Sequence, residues 1–226
     1  MDFIYQLING RDSILVGALT TVSVAVCAIV SSTMIGVLLG TALAYGNKFV
    51  AIPIRIYVDI MRGLPGLVAV FISYYLLGFG FSAIGIDLSP WGAGVIALSA
   101  LGAADVTELT RGAFQSIDRG QTDAGKAIGL RFWQILLSIL LPQSLVRIMP
   151  PWTNTATELV KGTTLLSLIG VTELLLTANR LVATSGSALW FFVAIGVVFF
   201  VINSLIQVFA RATERKFDFK RYGIKS

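Results

Sequence analysis

The stretch "DAGKAIGLRFWQILLSILLP", residues 123–142, changes character halfway along. It opens with small and charged residues, Asp123 to Gly129, and becomes apolar from Phe132 until it ends in Leu141-Pro142. A chain that leaves water for hydrocarbon reads this way. Trp133 stands at the junction, where an aromatic ring suits the membrane surface. The stretch predicts a short polar helix feeding a membrane-crossing one.

The composition agrees. Of 226 residues, 56% are hydrophobic and only 13% charged, with a mean hydropathy of +0.84. A soluble domain carries about 25% charged residues, so this balance belongs to an integral membrane protein. The single cysteine, Cys27, lies in an apolar run, which excludes a disulfide framework and a cysteine-based metal site. The chain has no histidine, so the commonest metal ligand and general base is missing.

About 20 apolar residues cross a bilayer, and five runs qualify. They cover roughly residues 14–45, 63–81, 91–114, 135–160 and 188–210. The first is long for a simple crossing, and its apolar core is too long for a signal peptide. Residues 162–187 are only mildly apolar and predict a short helix outside the membrane or re-entering it. Residues 46–62 read as a loop. The chain forms a single transmembrane domain, 1–226, all-α with five transmembrane helices.

Basic residues set the orientation, because Lys and Arg accumulate in cytoplasmic loops. Lys48, Arg55 and Arg62 follow the first run, while Arg119, Lys126 and Arg131 follow the third. Arg211, Arg215, Lys216, Lys220, Arg221 and Lys225 crowd the C-terminal end, which predicts an extended last helix and a lipid-facing tail. The segment after the second run has neither Lys nor Arg. The N-terminus is thus expected outside and the C-terminus in the cytoplasm. The net charge of +5 is a topology signal and does not point to nucleic acid.

This places 123–142 in a cytoplasmic loop, at about 118–134. Gly120 is suited to end the third helix and Thr122 to cap a new one. Ala124, Gly125, Ala127 and Gly129 would keep that helix flat for close approach by another protein. The spacing is acidic-small-small, three residues, Gly129, nine residues, Ile139, one residue, Leu141-Pro142. It resembles the E-A-A-x3-G-x9-I-x-L-P loop of membrane subunits of ABC importers, with Asp123 for Glu and Gly125 for the second Ala. The overlapping "GQTDAGKA" (120–127) approaches a phosphate-binding loop but lacks the hydroxyl after Lys126 and a preceding strand.

The resemblance extends to the polar amino acid uptake branch. "MRGLPGLV" (61–68) is similar to its R-G-T-P-x-L-V, and "ELTRGAF" (108–114) to its E-x-x-R-G-A/G. "LPQSLVRIMP" (141–150) and "LVKGTTLLSLIGVTEL" (159–174) match its fourth span and the segment beyond. The resemblance implies the type I ABC importer permease fold in a bacterial cytoplasmic (inner) membrane. It further implies a second permease subunit, two ATP-binding subunits and an external solute-binding protein that delivers an amino acid. The loop would be a coupling helix seated in the ATPase, with Asp123, Ala124, Gly125, Lys126, Gly129 and Arg111 serving that contact. No cofactor is expected on this chain, since ATP would be bound and hydrolysed by the partner; the chain itself is not expected to be an enzyme.

Ionisable residues inside a membrane are costly and mark paths or paired sites. Asp105, Glu108 and Arg111 recur every three residues, on one helical face. Asn154, Glu158 and Lys161, spaced by four and three, share a face on the fourth run, with Thr155, Thr157 and Thr107 adding hydroxyls. Meeting stripes would form a polar cavity, so Asn154, Glu158, Lys161, Asp105, Glu108 and Thr157 are the candidate substrate-binding residues. The competing reading is ion pairing within each helix, Glu108 with Arg111 and Glu158 with Lys161. Members of the resembled family usually keep Asn and Lys at the positions of Asn154 and Lys161, whereas Asp105 and Glu158 are less typical. Two extra carboxylates lean towards a basic amino acid by Coulomb attraction; the alternatives within the resembled family are an acidic or amide amino acid, an opine or another small zwitterion. Repeated across a symmetric cavity the carboxylates would repel, which leans towards a heterodimer over a homodimer.

Two other classes compete. An intramembrane enzyme could use paired carboxylates, but no nucleophile motif or metal cluster accompanies them. A stand-alone channel or secondary transporter is the other, although no internal repeat is visible. Gly36-x-x-x-Gly40 in the first run reads as a close-packing face. Pro142, Pro150 and Pro151 should distort the fourth helix.

Overall fold

In hydrocarbon each backbone N–H and C=O needs a partner within its own segment, so apolar runs fold as helices. The computed structural model describes residue 8 and residues 10–222, and the side chains of these apart from 185 and 214–222. Among the described residues the regular structure is all helical. The helices are α1 (Arg11–Tyr45), α2 (Lys48–Gly63), α3 (Gly66–Ser82), α4 (Pro90–Gln115), α5 (Arg119–Ala127), α6 (Phe132–Ile169), α7 (Leu174–Ser185) and α8 (Ala188–Tyr222).

Four helices, α1, α4, α6 and α8, are long and apolar enough to cross a membrane. Taken as one broken span, α2 and α3 make a fifth. Helix α1, with 35 residues, is about 52 Å long against a hydrocarbon core of about 30 Å. Helix α6 is longer than the expected run. Its end tightens into a 3-10 turn at Thr163–Ile169 and stops at Gly170, whose φ of 86° suits glycine. Helix α8 continues past its apolar part as expected, while the tail at 223–226 lies outside the described residues.

The expected loop after the first span is helix α2. Asn47 caps it by accepting from the Val50 N–H at 3.0 Å, and Ile54 and Val58, one turn apart, bury against the bundle. Its charges hid that period. At Leu64-Pro65 the chain turns by 113° into α3. Leu64 is extended, with φ −84° and ψ 133°, because the following proline ring disfavours a helical conformation there.

Helix α4 is the hub, packed between α1 on one side and α6 on the other. Small residues permit this. A Cβ on Gly36 would sit 2.5 Å from Val106 Cβ, and one on Gly40 only 2.6 Å from the Thr107 carbonyl oxygen. Across α4, a Cβ on Gly102 would meet Leu159 at 2.8 Å and Ser32 at 2.9 Å. Gly36 and Gly40 therefore form the close-packing face that their spacing suggests.

Helix α6 continues through Pro150 and Pro151. A widened π turn, Leu136–Leu140, precedes Pro142, giving its ring and missing N–H room within a continuous helix. Beyond α6 the expected short helix is α7. Buried Glu173 caps it, accepting from the N–H groups of Leu175 at 2.8 Å and Leu176 at 2.7 Å.

Candidate functional site

Where α4 faces α6, the end of α2 closes a cleft of about 410 Å³. Arg62, Leu101, Asp105, Thr155, Glu158 and Leu165 are among its walls. Arg62 Nε lies 3.3 Å from Asp105 Oδ1. Glu158 enters from α6 and makes no ion pair among the described residues. The cleft thus holds two carboxylates and one guanidinium, a net charge of one negative.

Of the six candidate substrate-binding residues, the fold brings Asp105 and Glu158 together. Glu108 lies one turn on, with its side chain 15% exposed, and is occupied. Arg55 Nη1 donates to its Oε1 at 2.7 Å, while Arg111 donates to Oε2 from Nη2 at 2.6 Å and Nε at 3.1 Å. Arg111 also donates to Gln115 Oε1 at 2.6 Å. The intrahelical pairing of Glu108 with Arg111 is present, and Arg55 extends it across helices. Asn154, Thr157 and Lys161 do not line the cleft. The Thr157 hydroxyl donates to the Asn154 carbonyl. Lys161 is exposed and forms no ion pair with Glu158. The second stripe therefore splits: Glu158 turns into the cleft and its neighbours turn away.

Sequence reasoning missed Arg55 and Arg62, which it placed in a loop as topology markers. They stand seven residues apart, two turns of a helix, opposite Glu108 and Asp105 on α4. That spacing was the available signal, and it carries meaning only once 48–63 is helical. Arg147 was missed too. From α6 its Nη1 donates to the carbonyl and hydroxyl oxygens of Ser116, tying α6 to the end of α4.

The segment between α4 and α6 forms the expected short helix, α5, with different ends. Helix α4 stops at Gln115, not Gly120. The cap of α5 is Asp118, whose Oδ1 accepts from Gly120 N–H at 2.7 Å; Thr122 lies inside the helix. At the far end Gly129 adopts φ 80°. Its N–H donates to Lys126 O at 2.9 Å, and Leu130 N–H donates to Gly125 O at 3.0 Å, the hydrogen bonds of a glycine-terminated helix.

The five candidate contact residues on this segment separate by side. Asp123, Ala124, Lys126 and Gly129 are exposed, and Lys126 Nζ is 3.8 Å from Asp123 Oδ1. Gly125 faces inward, where a Cβ would meet Ile135 Cγ1 at 2.9 Å. It keeps α5 tight on α6 and adds nothing to the outer surface. Arg111 is on α4, in the network around Glu108.

Comparison with known proteins agrees with this architecture. The family model described as a binding-protein-dependent transport system inner membrane component matches residues 32–219. A probable amino-acid ABC transporter permease protein, YckA of Bacillus subtilis, is 32% identical over 87% of this chain and 85% of its own. The glutamine transport system permease protein GlnP of Escherichia coli is 31% identical over 88% and 90%. The arginine ABC transporter permease protein ArtQ of Haemophilus influenzae is 29% identical over 92% and 95%. In the crystal structure of an amino acid ABC transporter with histidines, one chain superposes with a TM-score of 0.82 at 22% identity, covering 96% of this chain and 99% of that one. A chain of the MetNI methionine ABC transporter in an inward-facing conformation gives 0.77 at 20% identity, covering 90% and 96%. The fold is that of the type I ABC importer permeases, and the chain belongs to the family of binding-protein-dependent transport system inner membrane components.

Proposed function

We propose that this chain is the membrane-spanning permease subunit of an ATP-driven importer of polar amino acids, and that its cleft favours basic ones. The observation that carries the reading is the cleft itself, where Asp105 and Glu158 converge from two helices and only one cation, Arg62, balances them. Glu158, without an ion pair among the described residues, is suited to an ammonium or guanidinium group of the substrate. Arg62 is suited to its carboxylate.

In this reading the N-terminus is external and the C-terminus cytoplasmic, in a bacterial inner membrane. A solute-binding protein delivers the amino acid from outside to a cavity shared with a second permease subunit. Two ATP-binding subunits move α5, and Arg147 passes that movement to the end of α4 through Ser116. The likeness to permeases of amino acid ABC transporters supports the reading, and so do the short capped helix α5 and its exposed outer face.

One observation favours a second substrate class. Arg62 pairs with Asp105, so the cleft is only one charge from neutral and would accept a neutral zwitterion such as glutamine. Uptake by cells carrying Glu158→Gln separates the two. A basic substrate predicts that competition by arginine or lysine weakens by about tenfold while competition by glutamine is unchanged. Unchanged selectivity would remove the case for a basic substrate.

A further inference from the structure

The cleft leaves unexplained a second groove, of about 450 Å³, on the outer side of the bundle. It runs between the end of α1 and the start of α6, and its walls include Leu38, Thr41, Tyr45, Trp133, Leu137 and Leu141. Leu38 and Trp133 are 69% and 66% exposed, so it opens outward along its length. The Thr41 hydroxyl is satisfied, donating to the Val37 carbonyl at 2.7 Å. The groove floor therefore offers hydrocarbon surface without a free polar group.

Its two ends differ. The helices run in opposite senses, so Tyr45 and Phe132 lie together at one end, with their rings 5.5 Å apart. Leu38 and Leu141 lie towards the other end. From Phe132 to Leu141 the α6 wall measures about 14 Å, close to the depth of hydrocarbon in one leaflet, about 15 Å. Beside the aromatic end, Lys48 follows the lining residue Gly46 by two positions, and Arg131 precedes the lining residue Phe132. Both cations are exposed and unpaired among the described residues. The Tyr45 hydroxyl has no partner among the described residues either.

A dry trough one leaflet deep, with Tyr45 in its wall and two exposed cations next to its lining residues along the chain, has the polarity of a phospholipid in reverse. Basic pockets beside helices on the cytoplasmic side suit anionic headgroups, each cation adding about fivefold near such a surface. We propose that this groove holds an acyl chain of an anionic phospholipid of the cytoplasmic leaflet, with Lys48, Arg131 and the Tyr45 hydroxyl holding its phosphate. The lipid would brace α1 against the start of α6, directly beside the segment that carries α5. This inference rests on the orientation proposed above.

The assembled transporter is reconstituted in phosphatidylcholine nanodiscs with a trace of photoactivatable phosphatidylglycerol or phosphatidylcholine, the diazirine on the acyl chain. Labelled peptides are then mapped by mass spectrometry. Phosphatidylglycerol should label 132–141 at least about fivefold more than phosphatidylcholine, and K48Q/R131Q should bring the two to parity. L38W, which fills the trough and leaves the cations, should lower both yields. Equal labelling by the two lipids in the unaltered protein, or unchanged labelling in L38W, overturns the proposal. Access of a membrane-impermeant thiol reagent to R211C, exposed at the expected cytoplasmic end of α8, in inside-out vesicles and not in intact cells isolates that failure from a failure of the orientation; access only in intact cells overturns both.

Discussion

Arg62 at the end of α2 and Asp105 in the middle of α4 meet 3.3 Å apart at the mouth of the cleft that Glu158 enters from α6. A residue from the broken second span thus sets the charge of a cleft between the third and fourth. Arg62 and Asp105 are both about half exposed, so the pair adds little stability, about 1 kcal/mol or less. In the proposed function its effect falls on selectivity. R62Q should raise the KM for a zwitterionic amino acid by about tenfold and leave the amount of folded transporter unchanged. Radiolabelled uptake alongside quantified membrane protein checks this, and a parallel loss of protein would assign the pair a structural role.

Glu108 should behave in the opposite way. Its carboxylate, 15% exposed, holds Arg55 and Arg111 at 2.7 and 2.6 Å, with Arg55 itself 43% exposed. E108A leaves two partly exposed guanidinium groups without a counter-charge, at a cost of about 1–3 kcal/mol after solvent screening. Thermal unfolding of the purified complex should shift clearly downward for E108A and about half as far for E108Q, which keeps the acceptor oxygen.

Two glycines in helices should respond with opposite sign. G36A drives a methyl group to 2.5 Å from Val106 and should destabilise by about 1–3 kcal/mol. At Gly112 nothing lies within 4 Å of an added Cβ. G112A should therefore be neutral or stabilising by up to about 1 kcal/mol through helix propensity alone. Melting temperatures of the two variants read the difference directly.

Glu173 gives a pH dependence. It is fully buried at the start of α7, and burial pushes its carboxyl above the ordinary 4.5, against the two backbone N–H groups that favour the anion. A group raised on folding contributes stability in full below its unfolded value and loses it as pH climbs through the folded value. The difference in melting temperature between the natural protein and E173Q should therefore shift against the natural protein as pH rises from 4.5. A flat difference across that range would mean that burial does not control this carboxyl.

Much of this was legible because the strongest signals are local. Apolar length located α1, α4, α6 and α8, and the spacing from Asp123 to Pro142 located α5. Capping was legible only approximately: Asp118 and Thr122 are both good caps, and the choice depends on where α4 stops. Helix α2 was illegible for a physical reason, since Lys48, Arg55, Asp59 and Arg62 give it the charge density of a loop. Those charges are stable in a helix because Glu108 and Asp105 on a distant segment receive two of them. In the same way Glu158 and Lys161 share a face in sequence, yet one lines the cleft and the other does not. The difference comes from how α6 packs on α4, which no spacing along a single helix encodes.

The most direct test of the proposed function targets Lys126, exposed on the outer side of α5. A photo-crosslinking residue is placed at 126, native membranes are irradiated and the captured protein is identified by mass spectrometry. Capture of an ATP-binding subunit is the expected result, with capture abolished when the crosslinker is moved to Leu189, exposed on α8. Capture of lipid alone, with the chain folded and abundant, would contradict a coupling role for α5 and with it the assignment as the permease of an ATP-driven importer.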